Sequence, residues 1–170
     1  ADLGRKALQL YPRQPFVLRM IYEMELRQQR WTEAEKLLQR LAQTKALDPV
    51  KIKSDRIALQ LQIAEGLQGD DAFAQLRRTY GMDTRFVPAA IRLARLCLEQ
   101  DRKHHAIKVI ERTWKENPHP ELAALWMECA PAAKAQAGAA RLRWVEKLAN
   151  MAPQSIDGDR KSTRLNSSHR

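Results

Sequence analysis

Apolar positions recur along the chain at the spacing of an α-helix. Small residues are followed four residues later by larger ones, and positions four apart share one helical face. These pairs recur at intervals of 38, 34 and 34 residues, and Gly4 with Leu8 extends the series upstream. The pairs are Ala34 and Leu38, Ala72 and Leu76, Ala106 and Ile110, and Ala140 and Trp144. We find no convincing strand pattern, so the sequence predicts an all-α fold.

Prolines indicate a second set of helices between these segments. Proline is tolerated in the first turn of a helix, where its missing N–H donor costs nothing. The four helices predicted in this way run from Pro15 to about Gln28, from Pro49 to about Leu67, from Pro88 to about Glu99 and from Pro120 to about Cys129. Each is paired with one of the segments above, so the chain is predicted to contain successive helix pairs.

Local signals refine two of the helix ends. Thr32 and Glu35 have the spacing of a capping box, which predicts that the helix carrying Ala34 begins just after Thr32. Gly81 is expected to end the helix that carries Ala72, because glycine commonly follows the last turn of a helix.

Helix pairs that repeat about every 34 residues are typical of the tetratricopeptide repeat. A small residue lets two antiparallel helices approach closely, and the larger residue one turn later fills the adjacent groove. Each pair buries only part of its apolar surface, so neighbouring pairs must stack. We therefore expect a helical-repeat solenoid over 1–153. Its parts are a partial repeat at 1–12 and units at about 15–47, 49–81, 87–118 and 120–153.

The composition fits this class and excludes others. The chain has 170 residues, a net charge of +10 and two cysteines, which are too few for a disulfide scaffold. Residues 154–170 have no helical pattern, and Arg160 to His169 resembles translated sequencing-adapter or vector sequence, so this tail is predicted to be disordered and artefactual. Residues 159–170 hold four basic and one acidic residue, and without them the net charge falls from +10 to +7.

One stretch resembles a known family. It contains Phe-Val-Pro-Ala-Ala at 86–90, Trp114 four residues before a Pro-His-Pro turn, and then Glu-Leu-Ala at 121–123. This combination resembles the C-terminal tetratricopeptide part of HemY proteins from α-proteobacteria. The resemblance extends over roughly 1–153 and is most specific from Phe86 to Leu122.

The resemblance implies a setting and a role. HemY proteins are inner-membrane proteins associated with haem biosynthesis, with hydrophobic helices that precede the repeats. The chain begins at Ala1 without such helices, so we expect a fragment whose repeat domain is cytoplasmic and whose membrane attachment lies in a missing N-terminal segment. The family offers no agreed catalytic residue. It implies a non-catalytic scaffold that holds partner proteins, expected to be tetrapyrrole-pathway enzymes.

The expected partner site is the groove lined by the first helices of the pairs. Arg19 and Arg92 are assigned to one register position, and Glu23 and Arg95 to another. Arginine binds carboxylates through two parallel hydrogen bonds, so this groove is predicted to hold an acidic peptide segment. A solvated, charged helix face is the alternative interpretation.

Two further functions stay open at the level of sequence. Haem or porphyrin binding, as a carrier or sensor, would use His104, His105 or His119 as an iron ligand. An RNA-binding helical repeat is compatible with the charge, but equivalent repeat positions show no code for bases. The sequence contains no phosphate-binding glycine loop, no Gly-x-Ser-x-Gly and no His-Glu-x-x-His, so we expect no enzymatic activity, no metal site and no obligatory cofactor.

Overall fold

The computed structural model of the protein describes residues 2–131 and 137–151. Those residues form α-helices joined by short connections, and no strand occurs among them, which confirms the predicted all-α class. The helices are α1 (Asp2–Leu10), α2 (Pro15–Arg27), α3 (Trp31–Gln43), α4 (Pro49–Glu65), α5 (Gly69–Met82), α6 (Val87–Glu99), α7 (Lys103–Glu116), α8 (Pro120–Glu128) and α9 (Ala137–Met151). The predicted tail at 154–170 lies outside the described residues.

The chain divides into two compact units, with the boundary between Met82 and Asp83. Unit 1 contains α1 to α5, and each of these helices packs against the next in sequence. Unit 2 contains α6 to α9. In unit 2, α8 packs against both α6 and α7, and α9 packs against both α7 and α8. Because connections such as 28–30 and 100–102 are short, the helices that they join run antiparallel.

The core of unit 1 is built from the apolar faces of α2, α3 and α4. These faces form because buried residues recur three and four positions apart, as Leu18, Ile21 and Tyr22 do on α2. The members of this cluster are less than a tenth exposed. They are Leu18, Ile21, Tyr22, Ala34, Leu37, Leu38, Leu41, Ile52 and Leu59.

Three of the four prolines predicted to begin helices do so, whereas α6 begins at Val87, one residue before the predicted Pro88. Pro15 and Pro49 are the first residues of α2 and α4, and the Asp48 carboxylate accepts a hydrogen bond of 3.0 Å from the Val50 N–H. Pro120 begins α8, where the Nδ1 atom of His119 accepts the Glu121 N–H at 3.3 Å. These side chains satisfy donors that the first turn of a helix leaves unpaired.

The predicted capping box is wrong. Helix α3 begins at Trp31 rather than after Thr32, so Thr32 lies inside the first turn. The N-cap position is held by Arg30, which makes no side-chain capping bond. The Glu35 carboxylate instead accepts a hydrogen bond from the Gln60 amide of α4. Because Glu35 binds a residue of α4, its carboxylate does not cap the start of α3.

The end predicted for α5 also differs. Gly81 lies within the helix, which continues to Met82. Glycine ends a helix by adopting a positive φ angle, and the glycine of this segment that does so is Gly69, with φ +57°, at the start of α5.

The repeat positions are buried in three of the four pairs. Ala34, Leu38, Ala106 and Ile110 are fully buried, and Ala72 and Leu76 are nearly so. Ala140 is exposed and Trp144 is half-buried, so α9 does not repeat the packing of the other segments. The prediction that Ala140 admits a close helix contact is therefore wrong.

One hairpin geometry occurs twice. Helices α2 and α6 begin at Pro15 and Val87, 72 residues apart, and the same interval separates Ala34 from Ala106. Their last turns end alike, with Gln29 and Asp101 in the left-handed region at φ 55° and 58°. In both turns the first N–H after the left-handed residue reaches back five residues: Arg30 to the Glu25 carbonyl at 3.0 Å, and Arg102 to the Cys97 carbonyl at 2.7 Å. Both turns are Schellman motifs.

Candidate functional site

The residues predicted to line one groove belong to both units. Arg19 and Glu23 lie on α2 of unit 1, whereas Arg92 and Arg95 lie on α6 of unit 2.

On α2, the predicted groove residues bind each other. The Arg19 Nε atom lies 3.1 Å from a Glu23 carboxylate oxygen, one helical turn away. Both side chains are about half exposed or more, at 61% and 48%. An exposed ion pair of this kind stabilises a helix by only about 0.3–0.5 kcal/mol, so it is readily exchanged for another partner.

On α6, burial of one face leaves the arginines on another. Ala90, Ala94 and Cys97 are fully buried, at spacings of four and three residues. Arg95 is exposed and Arg92 is half-buried one turn earlier. The Arg95 guanidinium reaches α8, where its terminal nitrogen lies 3.4 Å from a Glu121 carboxylate oxygen. We call Arg92, Arg95 and Glu121 the α6–α8 face.

The equivalent hairpin turns correct one register assignment. With α2 and α6 aligned 72 residues apart, Glu23 corresponds to Arg95, as predicted. Arg92 corresponds to Met20, so the predicted equivalence of Arg19 with Arg92 is off by one residue.

The histidines considered as iron ligands lie apart from any buried site. His104 and His105 are exposed in the first turn of α7, and consecutive helical residues point about 100° apart. The Nδ1 atom of His119 is used to cap α8. Among residues 2–131 and 137–151, no group of three or more histidine, cysteine or acidic side chains is arranged to hold a metal ion.

Both cysteines are core residues. Cys97 and Cys129 have side chains that are at most 1% exposed, and neither forms a disulfide. Burial raises the pKa of each thiol, which outweighs the opposing effect of Arg102 on Cys97 and of Lys103 on Cys129. Their thiols are therefore protonated and unreactive at neutral pH.

Unit 1 contains a cationic cavity that no pattern in the sequence indicates. It has a volume of about 490 Å³ and lies among the end of α3, the start of α4 and the end of α5. Three of its lining residues are cations and five are apolar, and none is acidic. They are Ala42, Lys45, Leu47, Pro49, Ile52, Lys53, Arg56 and Met82. We call this the α3–α5 cavity.

Three comparisons with known proteins were made, against family models, curated proteins and solved structures. No family model, curated protein or solved structure matches the chain significantly. None of the helices in the described ranges combines the length and the apolar content that crossing a bilayer requires.

Proposed function

We propose that the chain is a non-catalytic module that binds an acidic segment of a partner protein on the α6–α8 face. The observation that carries this proposal is the ion pair between Arg95 and Glu121. It joins two neighbouring helices, yet both side chains are more than half exposed, at 59% and 54%. A carboxylate from a partner can therefore replace Glu121 without unpacking either helix.

The energetics favour such an exchange. An exposed ion pair contributes about 0–1 kcal/mol because water screens it and two long side chains must be ordered. A guanidinium that donates two parallel hydrogen bonds to a carboxylate, at an interface from which water is excluded, binds it more strongly. Arg92 lies on the same helix one turn before Arg95, so acidic residues one turn apart on a partner would meet both.

We further propose that the hairpins form a tetratricopeptide-like array. The duplicated turns after α2 and α6 support a repeated unit. The packing of α8 on α6 and of α9 on α7 is the contact pattern that stacked helix pairs make. The α6–α8 face would then be built by the first helices of two successive pairs.

The partner class follows from the sequence. The resemblance to HemY proteins is most specific over Phe86 to Leu122, which includes α6 and the start of α8. We therefore propose tetrapyrrole-pathway enzymes as the partners and an inner-membrane association for the whole protein.

Charge reversal tests the docking face. The complete chain is titrated with a fluorescein-labelled glutamate-rich peptide and, separately, with a lysine-rich peptide of the same length. Arg92→Glu with Arg95→Glu should abolish binding of the glutamate-rich peptide. The matched control is Arg77→Glu with Arg78→Glu, two exposed arginines of α5, which makes the same change in net charge. If both double variants weaken binding equally, the attraction is a general effect of charge and the α6–α8 face is not the site.

A second variant separates exchange from a structural role. Glu121→Gln removes the internal competitor, so affinity for the glutamate-rich peptide should rise about two- to fivefold, the equivalent of one surface ion pair. Unchanged or weaker binding by this variant would contradict the exchange model. Capture from detergent-solubilised membranes and cytosol of an α-proteobacterium then identifies the natural partner.

A further inference from the structure

The α3–α5 cavity combines charge with apolar surface in a single recess. Lys45 follows the end of α3 in the left-handed region, at φ 55°, and Leu47 lies two residues later. On α4, Arg56 follows Lys53 by three residues and Ile52 by four, so Arg56 lies on the same side of the helix as both. Met82, the last residue of α5, lines the cavity from a third helix. The cavity is therefore a product of three successive helices of unit 1.

Arg56 has a donor that the described structure leaves unused. Its Nε atom is buried and makes no hydrogen bond within residues 2–131 and 137–151. Buried donors in folded proteins are nearly always paired, because losing water without gaining a partner is unfavourable. The neighbouring acidic residue Asp55 is bound to Lys51, at 3.2 Å, and does not line the cavity. Arg56 lines a cavity that has no acidic side chain, so an anion in the cavity would give its guanidinium an acceptor.

The rest of the lining restricts what that anion can be. Five of the eight lining residues are apolar, so a strongly hydrated ion such as inorganic phosphate would leave most of the cavity surface without a favourable contact. A volume of about 490 Å³ lies within the range of small-molecule sites, about 300–1,000 Å³. Both observations favour a small ligand that has one charged end and one apolar end.

We propose that the α3–α5 cavity binds a small amphipathic carboxylate, such as a medium-chain fatty acid. The carboxylate accepts hydrogen bonds from Arg56 and Lys45, and the hydrocarbon packs against Leu47, Ile52 and Met82. The site lies in unit 1 and shares no residue with the α6–α8 face, so either proposal can fail without the other.

Three probes separate the two requirements of the site. The complete chain is titrated with octanoate, with acetate, which keeps only the charge, and with octan-1-ol, which keeps only the chain. Octanoate should bind at least about tenfold more tightly than either of the others, since each lacks one of the two sets of contacts. In the same titration the ¹H–¹⁵N signal of the Arg56 Nε–H group should move, because this donor gains an acceptor.

A charge-removing variant and a control on the same helix complete the test. Arg56→Gln should weaken octanoate binding about tenfold, whereas Lys51→Gln, which lies outside the cavity, should leave it unchanged. Circular dichroism verifies that each variant is folded, and Lys45→Gln replaces Arg56→Gln if the latter is not. Absence of octanoate binding to the unaltered chain, equal affinity for octan-1-ol, or equal affinity in the cavity variant and the Lys51→Gln control would overturn the proposal.

Discussion

Trp126 and Trp144 each donate an indole N–H to the other's backbone. The Trp126 Nε1 atom lies 2.9 Å from the Trp144 carbonyl oxygen, and the Trp144 Nε1 atom lies 2.8 Å from the Trp126 carbonyl oxygen. Their rings stack with centroids 4.3 Å apart. The Lys147 ammonium lies 5.3 Å from the Trp126 ring and pairs with Glu111 of α7 at 2.7 Å. This reciprocal contact holds α9 against α8.

The indole donors make a measurable contribution to unit 2. Trp144→Phe keeps a ring for stacking but removes the indole donor to the Trp126 carbonyl, which retains only the bond from the Cys129 N–H. The free energy of unfolding should therefore fall by about 0.5–1.5 kcal/mol, the net value of one hydrogen bond. Urea denaturation followed by circular dichroism measures the change. Leu142→Ala, at a residue 60% exposed on the same helix, should change stability by less than about 0.5 kcal/mol. Equal stabilities of the two variants would show that the reciprocal bonds contribute little.

The alanines of the repeat differ in their tolerance of a larger side chain. Ala34→Leu and Ala106→Leu should each lower the free energy of unfolding by about 1–3 kcal/mol, because both alanines are fully buried against a neighbouring helix. Ala140→Leu should have little effect, since Ala140 is exposed. Thermal melting of the three variants gives the comparison. A melting temperature for Ala34→Leu as high as that of Ala140→Leu would contradict the packing described for α3.

The left-handed residues of the two turns are sites for stabilisation. Gln29→Gly should raise the free energy of unfolding by about 0.5–1 kcal/mol, because glycine adopts a positive φ angle without the steric cost of a Cβ atom. The gain from Asp101→Gly should be smaller, since aspartate tolerates this conformation better than glutamine does. Chemical denaturation provides the values.

A reverse substitution serves as the control for these turns. Gly69→Ala should be destabilising by about 1 kcal/mol, because φ at Gly69 is +57° while no atom lies within 4 Å of the added Cβ. The cost would therefore be conformational rather than a clash. Loss of stability in Gln29→Gly, or a gain in Gly69→Ala, would be inconsistent with these backbone angles.

Tyr22 makes the stability of unit 1 sensitive to alkali. Burial, with a contribution from Asp55, raises the pKa of Tyr22 from 10.0 to about 12. The unfolded chain therefore loses this proton at a lower pH than the folded chain, and stability falls as the pH rises from 10 to 12. The loss attributable to Tyr22 should reach about 2–3 kcal/mol.

Removing the phenol tests this assignment. The advantage of the unaltered chain over Tyr22→Phe in free energy of unfolding should shrink between pH 10 and 12, as measured by denaturation at each pH. Tyr11→Phe is the control, because Tyr11 is 55% exposed. A constant difference between the unaltered chain and Tyr22→Phe across this range would rule out Tyr22 as the titrating group.

The sequence predicted helices well where a local signal determines them. Pro15, Pro49 and Pro120 begin helices as expected, because proline fixes φ and lacks a donor that the first turn does not need. The capping-box prediction is wrong because Glu35 accepts a hydrogen bond from the Gln60 amide of α4, a tertiary contact that a local pattern does not reveal. The prediction that Ala140 is packed against another helix is wrong for a related reason. The spacing of apolar residues does not specify which face of α9 is covered.

The candidate sites were harder to foresee. The Arg95 position on the exposed side of α6 follows from periodicity, but its partner Glu121 is 26 residues away on another helix. The α3–α5 cavity needs residues from three helices together with the left-handed conformation of Lys45, and none of these has a sequence signature. A pattern within one helix specifies a face, whereas a cavity depends on how several faces meet.

The turns at Gln28–Arg30 and Gln100–Arg102 close their two hairpins in the same way. Helices α2 and α6 are both 13 residues long, and each is followed at the same place by a left-handed residue, Gln29 or Asp101, and by the same closing hydrogen bond. The backbone geometry of the turn is therefore common to both segments, although their helices pack against different neighbours. A gene that duplicates or deletes such a cassette changes the protein by a complete hairpin, so a chain of this kind can lengthen or shorten in evolution without rebuilding its remaining helices.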